Sequence, residues 1–127
     1  MSDSDKKRVY LAGPMRGIAN FNFPAFNAAA KKLRKEGWEV FNPAEHDKEL
    51  YGANIGARNP TGDEQKAIEK HGFNLRVSLH DDLKFICLEA EAIAMLPGWE
   101  SSKGANAEIA TAKALGLEVI FLGEDYV

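Results

Sequence analysis

Residues 9–12, with the sequence VYLA, form a short apolar run that stops at Gly13-Pro14. A run of this kind, bounded by Gly and Pro, is typical of a buried β-strand. On its C-terminal side, segments with helical spacing alternate with further short apolar runs. The pattern predicts strands at residues 9–12, 38–41, 92–96 and 118–122, and helices that begin at Asn22 or Phe23, at Asn74 and at Ala105.

Strands and helices that alternate along a chain fold into a parallel sheet with right-handed crossovers and helices on both faces. We therefore expect one α/β domain over residues 1–127, a three-layer sandwich with a Rossmann-like or flavodoxin-like parallel sheet of about four to five strands. Residues 1–7 are expected to be a flexible leader. Residues 44–72 keep no clean period and are expected to be a long loop or variable insert, with one helix near residues 64–70.

The composition restricts the possible functions. Sixteen Lys and Arg against nineteen Asp and Glu give a net charge of −3, which disfavours binding to polymeric nucleic acids or anionic membranes. No apolar run approaches the roughly 20 residues that span a bilayer, and residues 1–8 lack an apolar signal core. The single cysteine, Cys87, forms no internal disulfide, and no Cys/His set has zinc spacing. We expect a cytoplasmic protein without a metal site and with Cys87 buried in a helix.

In open parallel sheets, ligands bind at the carboxyl ends of the strands. Residues 13–17, GPMRG, leave the first strand at this edge and supply the candidate binding residues Gly13, Pro14, Met15, Arg16 and Gly17. Glycines allow backbone N–H groups to approach an anion, and an arginine can fork onto a phosphate or carboxylate. A simple turn with a solvated Arg16 explains the segment equally well. The segment is neither a P-loop nor a dinucleotide fingerprint, so ATP-driven phosphoryl transfer and nicotinamide chemistry have no support.

Two acidic residues are candidates for chemistry. At about 100° per residue, Glu108 falls inside the apolar stripe of the last helix, whose N-terminus Ser102 is placed to cap. Burial of a carboxylate is costly, and the helix dipole fades beyond the first turn, so we favour a functional role for Glu108. Asp82 borders the apolar stripe of the preceding helix, although two exposed helix acids, Asp81 and Asp82, are equally compatible with the spacing.

Three motifs in the order residues 9–17, Asp82-Leu83 and Ser102-x-Gly104-x-x-x-Glu108 resemble the nucleoside 2-deoxyribosyltransferase superfamily. That superfamily includes the 2′-deoxynucleoside 5′-phosphate N-hydrolases. Residues 22–26, NFPAF, and 97–100, PGWE, are similar to a group of small, often phage-borne members. The resemblance covers most of the chain except residues 44–72.

The resemblance implies a role for each motif. Glu108 would be the nucleophile that attacks C1′ of a (deoxy)ribosyl group and forms a covalent glycosyl-enzyme. Asp82 would protonate the leaving base and later activate water or an incoming base, and Tyr10 would orient the nucleophile. This chemistry requires no metal or organic cofactor, and it requires carboxyl groups roughly 5 Å apart.

The group that the site accepts at the 5′ position of the sugar, a hydroxyl or a phosphate, distinguishes base exchange on nucleosides from hydrolysis of nucleotides. Superfamily transferases acting on free nucleosides usually carry an acid at the position of Ser102, whereas a serine at a helix N-terminus accommodates a phosphate. Ser102, with Arg16 and the backbone of residues 13–17, therefore favours hydrolysis of a nucleoside 5′-monophosphate, and Gly104 is a further candidate substrate-binding residue. Base exchange by a deoxyribosyltransferase, a non-catalytic nucleotide- or ADP-ribose-binding module, and a structural protein that lost the chemistry remain alternatives. The small sheet leaves apolar surface uncovered, which predicts a homodimer.

Overall fold

A computed structural model describes residues 7–51, 62, 68 and 74–127. The described residues form a four-stranded sheet in the order β2-β1-β3-β4, and all neighbouring strands are parallel. This is a flavodoxin-like order, and it confirms the predicted α/β class and sheet type. The strands are β1 (Arg8–Ala12), β2 (Glu39–Phe41), β3 (Ala92–Met95) and β4 (Glu118–Phe121).

Four α-helices lie within the described part of the chain, and local signals mark where they begin. Pro24 lies in the first turn of the first helix, where its missing N–H costs nothing. The Asn74 side chain accepts from the Val77 N–H at 3.3 Å, and Ser102 Oγ accepts from the Ala105 N–H at 3.1 Å. The helices are α1 (Phe23–Lys35), α2 (Pro43–Tyr51), α3 (Leu75–Leu88) and α4 (Lys103–Ala114).

The alternation of β1 side chains creates the three layers. Val9 and Leu11 face a core that includes α1, whereas Tyr10 and Ala12 face a second core that includes residues of α3 and α4. All four side chains are at most 1% exposed, as expected for a strand covered on both faces. Tyr10 is therefore directed toward the helices that carry the two candidate acids.

The loop predicted for residues 44–72 is wrong at its start, because α2 occupies Pro43–Tyr51. Pro43 closes β2 but is also a favourable first residue of a helix, and the Asn42 side chain accepts from the Ala44 N–H at 3.0 Å. Apart from Gly62 and Ile68, the rest of that segment lies outside the described residues, as do residues 1–6 of the predicted leader.

The prediction that Cys87 is buried is wrong, and one apolar residue on the same helical stripe as Glu108 is also exposed. Cys87 is exposed, and Leu115, which extends the stripe of α4 on a helical wheel, is 49% exposed. Leu115 lies just after the helix ends at Ala114, so the helical angle no longer describes its direction. No helix in the described part is both long and apolar enough to cross a bilayer.

Candidate active site

A pocket lies at the carboxyl edge of the sheet, between the segments that leave β1 and β3. Connections from these two neighbouring strands diverge in opposite directions, to β2 and β4, and such a switch point is where ligands bind in open α/β sheets. Eight of the ten residues predicted for the site line this pocket, namely Tyr10, Gly13, Met15, Arg16, Asp82, Ser102, Gly104 and Glu108.

The other two predicted residues, Pro14 and Gly17, do not line this pocket. They lie in an adjoining cleft, whose wall also includes Arg16 and Ser102. Arg16 and Ser102 thus connect the two spaces, and both are at the end of the pocket formed by the β1 loop and the start of α4.

Glu108 and Tyr10 make the central contact of the pocket. The Tyr10 hydroxyl donates to Glu108 Oε2 at 2.8 Å, and the two side chains are 1% and 6% exposed. The apolar stripe of α4 carries Glu108 inward, and the β1 alternation carries Tyr10 to the same place. The sequence-based placement of Glu108 on the buried face is therefore confirmed.

Aromatic rings fix the position of the Tyr10 phenol. The Phe41 ring stacks on Tyr10 with a centroid distance of 5.5 Å, and Phe85 lies 6.4 Å from Tyr10 and 4.7 Å from Phe41. Aromatic pairs at these distances stabilise one another beyond the area they bury. The hydroxyl is held on a rigid ring, which pre-orients its hydrogen bond to Glu108.

Asp82 completes the acidic centre. Burial, and then the charge of Asp82, raise the pKa of Glu108 well above its ordinary value. The hydrogen bond from Tyr10 lowers the pKa of Glu108, and the interaction of its carboxyl group with that of Asp82 raises it further. Burial raises the pKa of Asp82 to about 7, with the charge of Asp47 the next cause. Because two neighbouring carboxylates in a pocket repel each other, Asp82 and Glu108 together retain a proton near neutral pH.

The start of α4 supplies the polar end of the pocket. Ser102 caps the helix through its side chain, and free N–H groups of the first turn lie beside it. Across the pocket, Gly13 approaches β3 so closely that a Cβ there would lie 2.7 Å from Cβ of Leu96. Glycine is therefore required for the β1 loop to approach the β3 segment.

The structure adds a third acid to the pocket, Asp47, which is buried as Glu108 is. Asp47 on α2 is 8% exposed and lines the pocket, and Ser78 Oγ on α3 donates to its Oδ1 at 3.4 Å. Burial raises the pKa of Asp47 to about 6, whereas His46 and the Ser78 hydrogen bond lower it. The signal was present in Asn42-Pro43, which begins a helix whose second turn carries Asp47 to the sheet edge.

A second contact joins α2 to α3 at the rim. Nε2 of His46 lies 3.0 Å from Oδ2 of Asp81, and the His46 ring packs 5.3 Å from Phe41. Hydrogen bonds from His46 and then His80 lower the pKa of Asp81. A lone histidine is usually an ordinary loop or surface residue, but His46 joins α2 to the helix that carries Asp82.

A left-handed segment forms one apolar wall of the pocket. Asn20, Phe21 and Asn22 have consecutive positive φ angles of 54°, 53° and 61°. The Asn22 side chain donates to the Pro14 carbonyl at 3.0 Å, and Phe21 is 6% exposed with its side chain at the pocket wall. Three consecutive non-glycine residues in this region are strained, and such strain is concentrated at functional sites.

The fold and the site together define a class: a small flavodoxin-like α/β protein with a buried tyrosine and clustered acids at the topological switch point. The chain belongs to the family described as a domain of unknown function (DUF4406), whose model matches residues 7–121. Comparison with curated proteins gave no match, and neither did comparison with solved structures.

Proposed function

We propose that this protein hydrolyses the N-glycosidic bond of a (deoxy)nucleoside 5′-monophosphate and releases the nucleobase. The proposal includes the relation to the nucleoside 2-deoxyribosyltransferase superfamily that the three motifs suggest. One observation carries it: Tyr10 donates to Glu108 at 2.8 Å in a pocket where Asp82 is the neighbouring acid.

In the first step, a carboxylate oxygen of Glu108 forms a bond to C1′ of the sugar as the bond from C1′ to the base nitrogen breaks. The electron pair of the broken bond stays with the base, which takes a proton from Asp82. The result is a glycosyl ester on Glu108, a neutral base and an ionised Asp82. Asp82 and Glu108 line the same pocket, and the charge of Asp82 is the largest cause, after burial, of the raised pKa of Glu108, as expected for the neighbouring carboxyl groups of a retaining pair.

In the second step, Asp82 takes a proton from water as the water oxygen bonds to C1′. The ester bond between C1′ and Glu108 breaks, and its electron pair returns to the carboxylate. The products are the free base and the sugar 5-phosphate, and both acids regain their starting protonation. A second nucleobase in place of water would give the base exchange of a transferase.

The protonation of the pair suits this order of events. The reaction starts with one proton on the two acids, because a nucleophile must be ionised and a general acid must be protonated. Burial and mutual repulsion hold a proton in the pair near neutral pH, and the Tyr10 hydroxyl stabilises the ionised form of Glu108. Asp82, with a pKa of about 7, is then suited to donate that proton to the base.

The polar end of the pocket suits a phosphate. Ser102 and Gly104 lie at the first turn of α4, where N–H groups and the positive end of the helix dipole favour an anion. Arg16 lies on the same wall. A substrate with its phosphate here and its base toward α2 and α3 would place C1′ between the two acids.

The test is incubation of the protein with a panel of ribo- and deoxyribonucleoside monophosphates, with free base quantified by chromatography. Glu108→Gln should abolish base release, because an amide keeps the shape and accepts the Tyr10 hydrogen bond but cannot attack C1′. The control is Glu49→Gln, which removes a carboxylate from an exposed position on α2 and should leave the rate unchanged. Base release undiminished in Glu108→Gln would refute the proposal.

Two further measurements separate the alternatives. Addition of a second free base distinguishes exchange from hydrolysis, since only a transferase forms a new nucleotide. Nucleotide binding without any turnover identifies a binding module.

We also propose that the protein forms a homodimer, because the apolar side chains of Leu88 and Phe121 are 72% and 61% exposed and a second copy would cover them. Sedimentation equilibrium measures it directly.

A further inference from the structure

Asp47 is a buried acid that the proposed catalytic steps do not use. It is 92% withdrawn from solvent, since its exposure is 8%, and it lines the same pocket as Asp82 and Glu108. The hydrogen bond from Ser78 reaches only Oδ1, and at 3.4 Å it is long. A buried carboxylate with one long hydrogen bond is costly, so its presence needs a reason.

The second oxygen of Asp47 is available to a ligand. Among the described residues, no hydrogen bond to Oδ2 is found. Every fully buried side-chain nitrogen or oxygen atom in the described part does have a partner. Oδ2 is therefore not fully buried, and the residue that carries it lines the pocket.

Asp47 lies beside α3, the helix that carries Asp82, because its hydrogen-bond partner Ser78 belongs to that helix. Its charge is the second cause, after burial, of the raised pKa of Asp82, but the weakest of the causes that raise the pKa of Glu108. Its partner Ser78 lies one helical turn before Asp82 on α3, on the same helix face. The acid that serves the leaving base therefore has Asp47 as its neighbour.

The charged and polar residues around Asp47 make contacts elsewhere, so Asp47 is able to accept a hydrogen bond from a ligand. On α2, His46 contacts Asp81 at the rim, and the Lys48 ammonium lies over the Phe23 ring at 5.9 Å. The other polar residues at the centre of the pocket are two acids, Asp82 and Glu108, and Tyr10, whose hydroxyl donates to Glu108. The apolar side chains of Phe21, Phe26, Leu75 and Leu79 complete the walls.

We infer that Asp47, supported by Ser78, is the residue that selects the nucleobase, and that it accepts hydrogen bonds from a base edge carrying an amino group. An ionised carboxylate only accepts hydrogen bonds, so it favours N–H donors and repels a carbonyl oxygen placed at the same point. Guanine offers two adjacent donors, the ring N1–H and the 2-amino group, which match the two oxygens of a carboxylate. Cytosine offers one amino group, whereas uracil offers a carbonyl at that position.

This inference rests on the proposed function, because it assigns the base end of the same pocket. The apolar walls bury the faces of a flat ring, and the acid reads its edge, which is the usual division between affinity and specificity in small-molecule sites. A site built around such a hydrogen bond strongly rejects an analogue that lacks the donor, because the acceptor is then left unpaired.

The test compares two matched pairs of substrates, the 5′-monophosphates of deoxyguanosine and deoxyinosine and those of deoxycytidine and deoxyuridine. Within each pair the wild-type protein should favour the amino-bearing member at least tenfold in kcat/KM. Asp47→Asn should reduce that ratio at least tenfold, because an amide both donates and accepts. Removal of the Asp47 charge also lowers the pKa of Asp82 and affects both members alike, so the ratio within each pair, and not the absolute rate, measures the role of Asp47. Equal ratios in the wild type, or equal losses for both members in the variant, would overturn the inference.

Binding measurements keep this test separate from that of the proposed function. If no nucleotide is hydrolysed, titration calorimetry of the wild type with the same four nucleotides gives their dissociation constants. A tenfold preference for the amino-bearing members that Asp47→Asn removes supports the role of Asp47 even though the catalytic proposal has failed. Hydrolysis without any preference refutes the role of Asp47 alone. Asp47→Ser serves as a second variant if Asp47→Asn does not fold.

Discussion

Asp81 and Asp82 are adjacent in sequence on α3, yet they experience opposite electrostatic environments. Asp81 contacts the rings of His46 and His80 at 3.0 and 3.1 Å, and these hydrogen bonds lower its pKa. Asp82 turns into the pocket, where burial raises its pKa to about 7. The two side chains point about 100° apart around the helix axis. Ionised Asp81 therefore stabilises the fold, whereas ionised Asp82 destabilises it.

This contrast predicts opposite effects of two substitutions on stability. The raised pKa of Asp82 means that the folded state holds its proton between about pH 4 and 7, so this group destabilises the fold as pH rises through that window. Asp82→Asn should therefore increase the free energy of unfolding at pH 8 by on the order of 2 kcal/mol, and by little at pH 4. Urea denaturation at both pH values measures this.

Asp81→Asn is the matched control for that measurement. Because the pKa of Asp81 is lowered, its contribution is present above pH 4 and is lost as pH falls through the folded-state value. Asp81→Asn should thus decrease stability at neutral pH. A decrease for both variants at pH 8 would contradict the assignment of Asp82 as an acid whose charged form is disfavoured in the folded state.

The Tyr10 hydroxyl should affect the rate more than the fold. In Tyr10→Phe the ring still packs on Phe41 and Phe85, but Glu108 loses the hydrogen bond that lowers its pKa. Base release should fall roughly 10- to 100-fold, the usual value of a hydrogen bond to a charged group. The acidic limb of the pH–rate profile should move to higher pH, since a higher pH is then needed to ionise Glu108.

Tyr126→Phe provides the comparison for the Tyr10 variant. It removes another tyrosine hydroxyl that donates to a carboxylate, Glu36, at 2.7 Å on the exposed surface. Its activity and pH profile should match those of the wild type. An identical loss in both variants would indicate a general effect on the fold rather than a role for Tyr10.

Much of the fold could be predicted because the spacing of apolar residues along the sequence indicates which face of each strand or helix is buried. The run at residues 9–12 and the stripe that carries Glu108 are set by local spacing, and the structure places both as expected. The cap at Ser102 is likewise a local signal that the structure confirms. Parallel connection then brings residues from separate segments to one sheet edge without further information.

Asn42-Pro43 marks the start of α2, but the burial of Asp47 could not be predicted because it depends on a distant helix. The stretch from Ala44 onward has a weak helical period, and nothing near Asp47 in sequence indicates that Ser78, 31 positions later, packs against it. The left-handed backbone at Asn20, Phe21 and Asn22 is similarly invisible, since tertiary packing rather than residue preference enforces it. Contacts of high sequence separation, not local propensity, decided these parts of the site.

A side chain at Gly13 should destabilise the fold, whereas a methyl group at Gly104 should be tolerated. A methyl group on Gly13 would lie 2.7 Å from Cβ of Leu96, which forces the β1 loop away from β3, so Gly13→Ala should cost about 1 to 3 kcal/mol of stability. At Gly104, in the first turn of α4, the nearest atom would be Ser102 Oγ at 4.0 Å. Gly104→Ala should gain roughly 0.5 kcal/mol through its helix propensity. Thermal denaturation of both variants tests this, and equal effects would contradict it.

Ser102 gives the sharpest test of the phosphate end, because its capping role can be kept while its charge is changed. Asp and Asn both cap helices as well as Ser does, so Ser102→Asp and Ser102→Asn should fold like the wild type. Ser102→Asp places a negative charge where the phosphate is proposed to bind, and kcat/KM for nucleoside monophosphates should fall about 100-fold through repulsion. With free nucleosides the same variant should be as active as the wild type or more so, because a carboxylate accepts a hydrogen bond from a 5′-hydroxyl. Ser102→Asn should lose less than tenfold with either substrate. Equal losses for phosphorylated and unphosphorylated substrates in Ser102→Asp would show that the phosphate binds elsewhere.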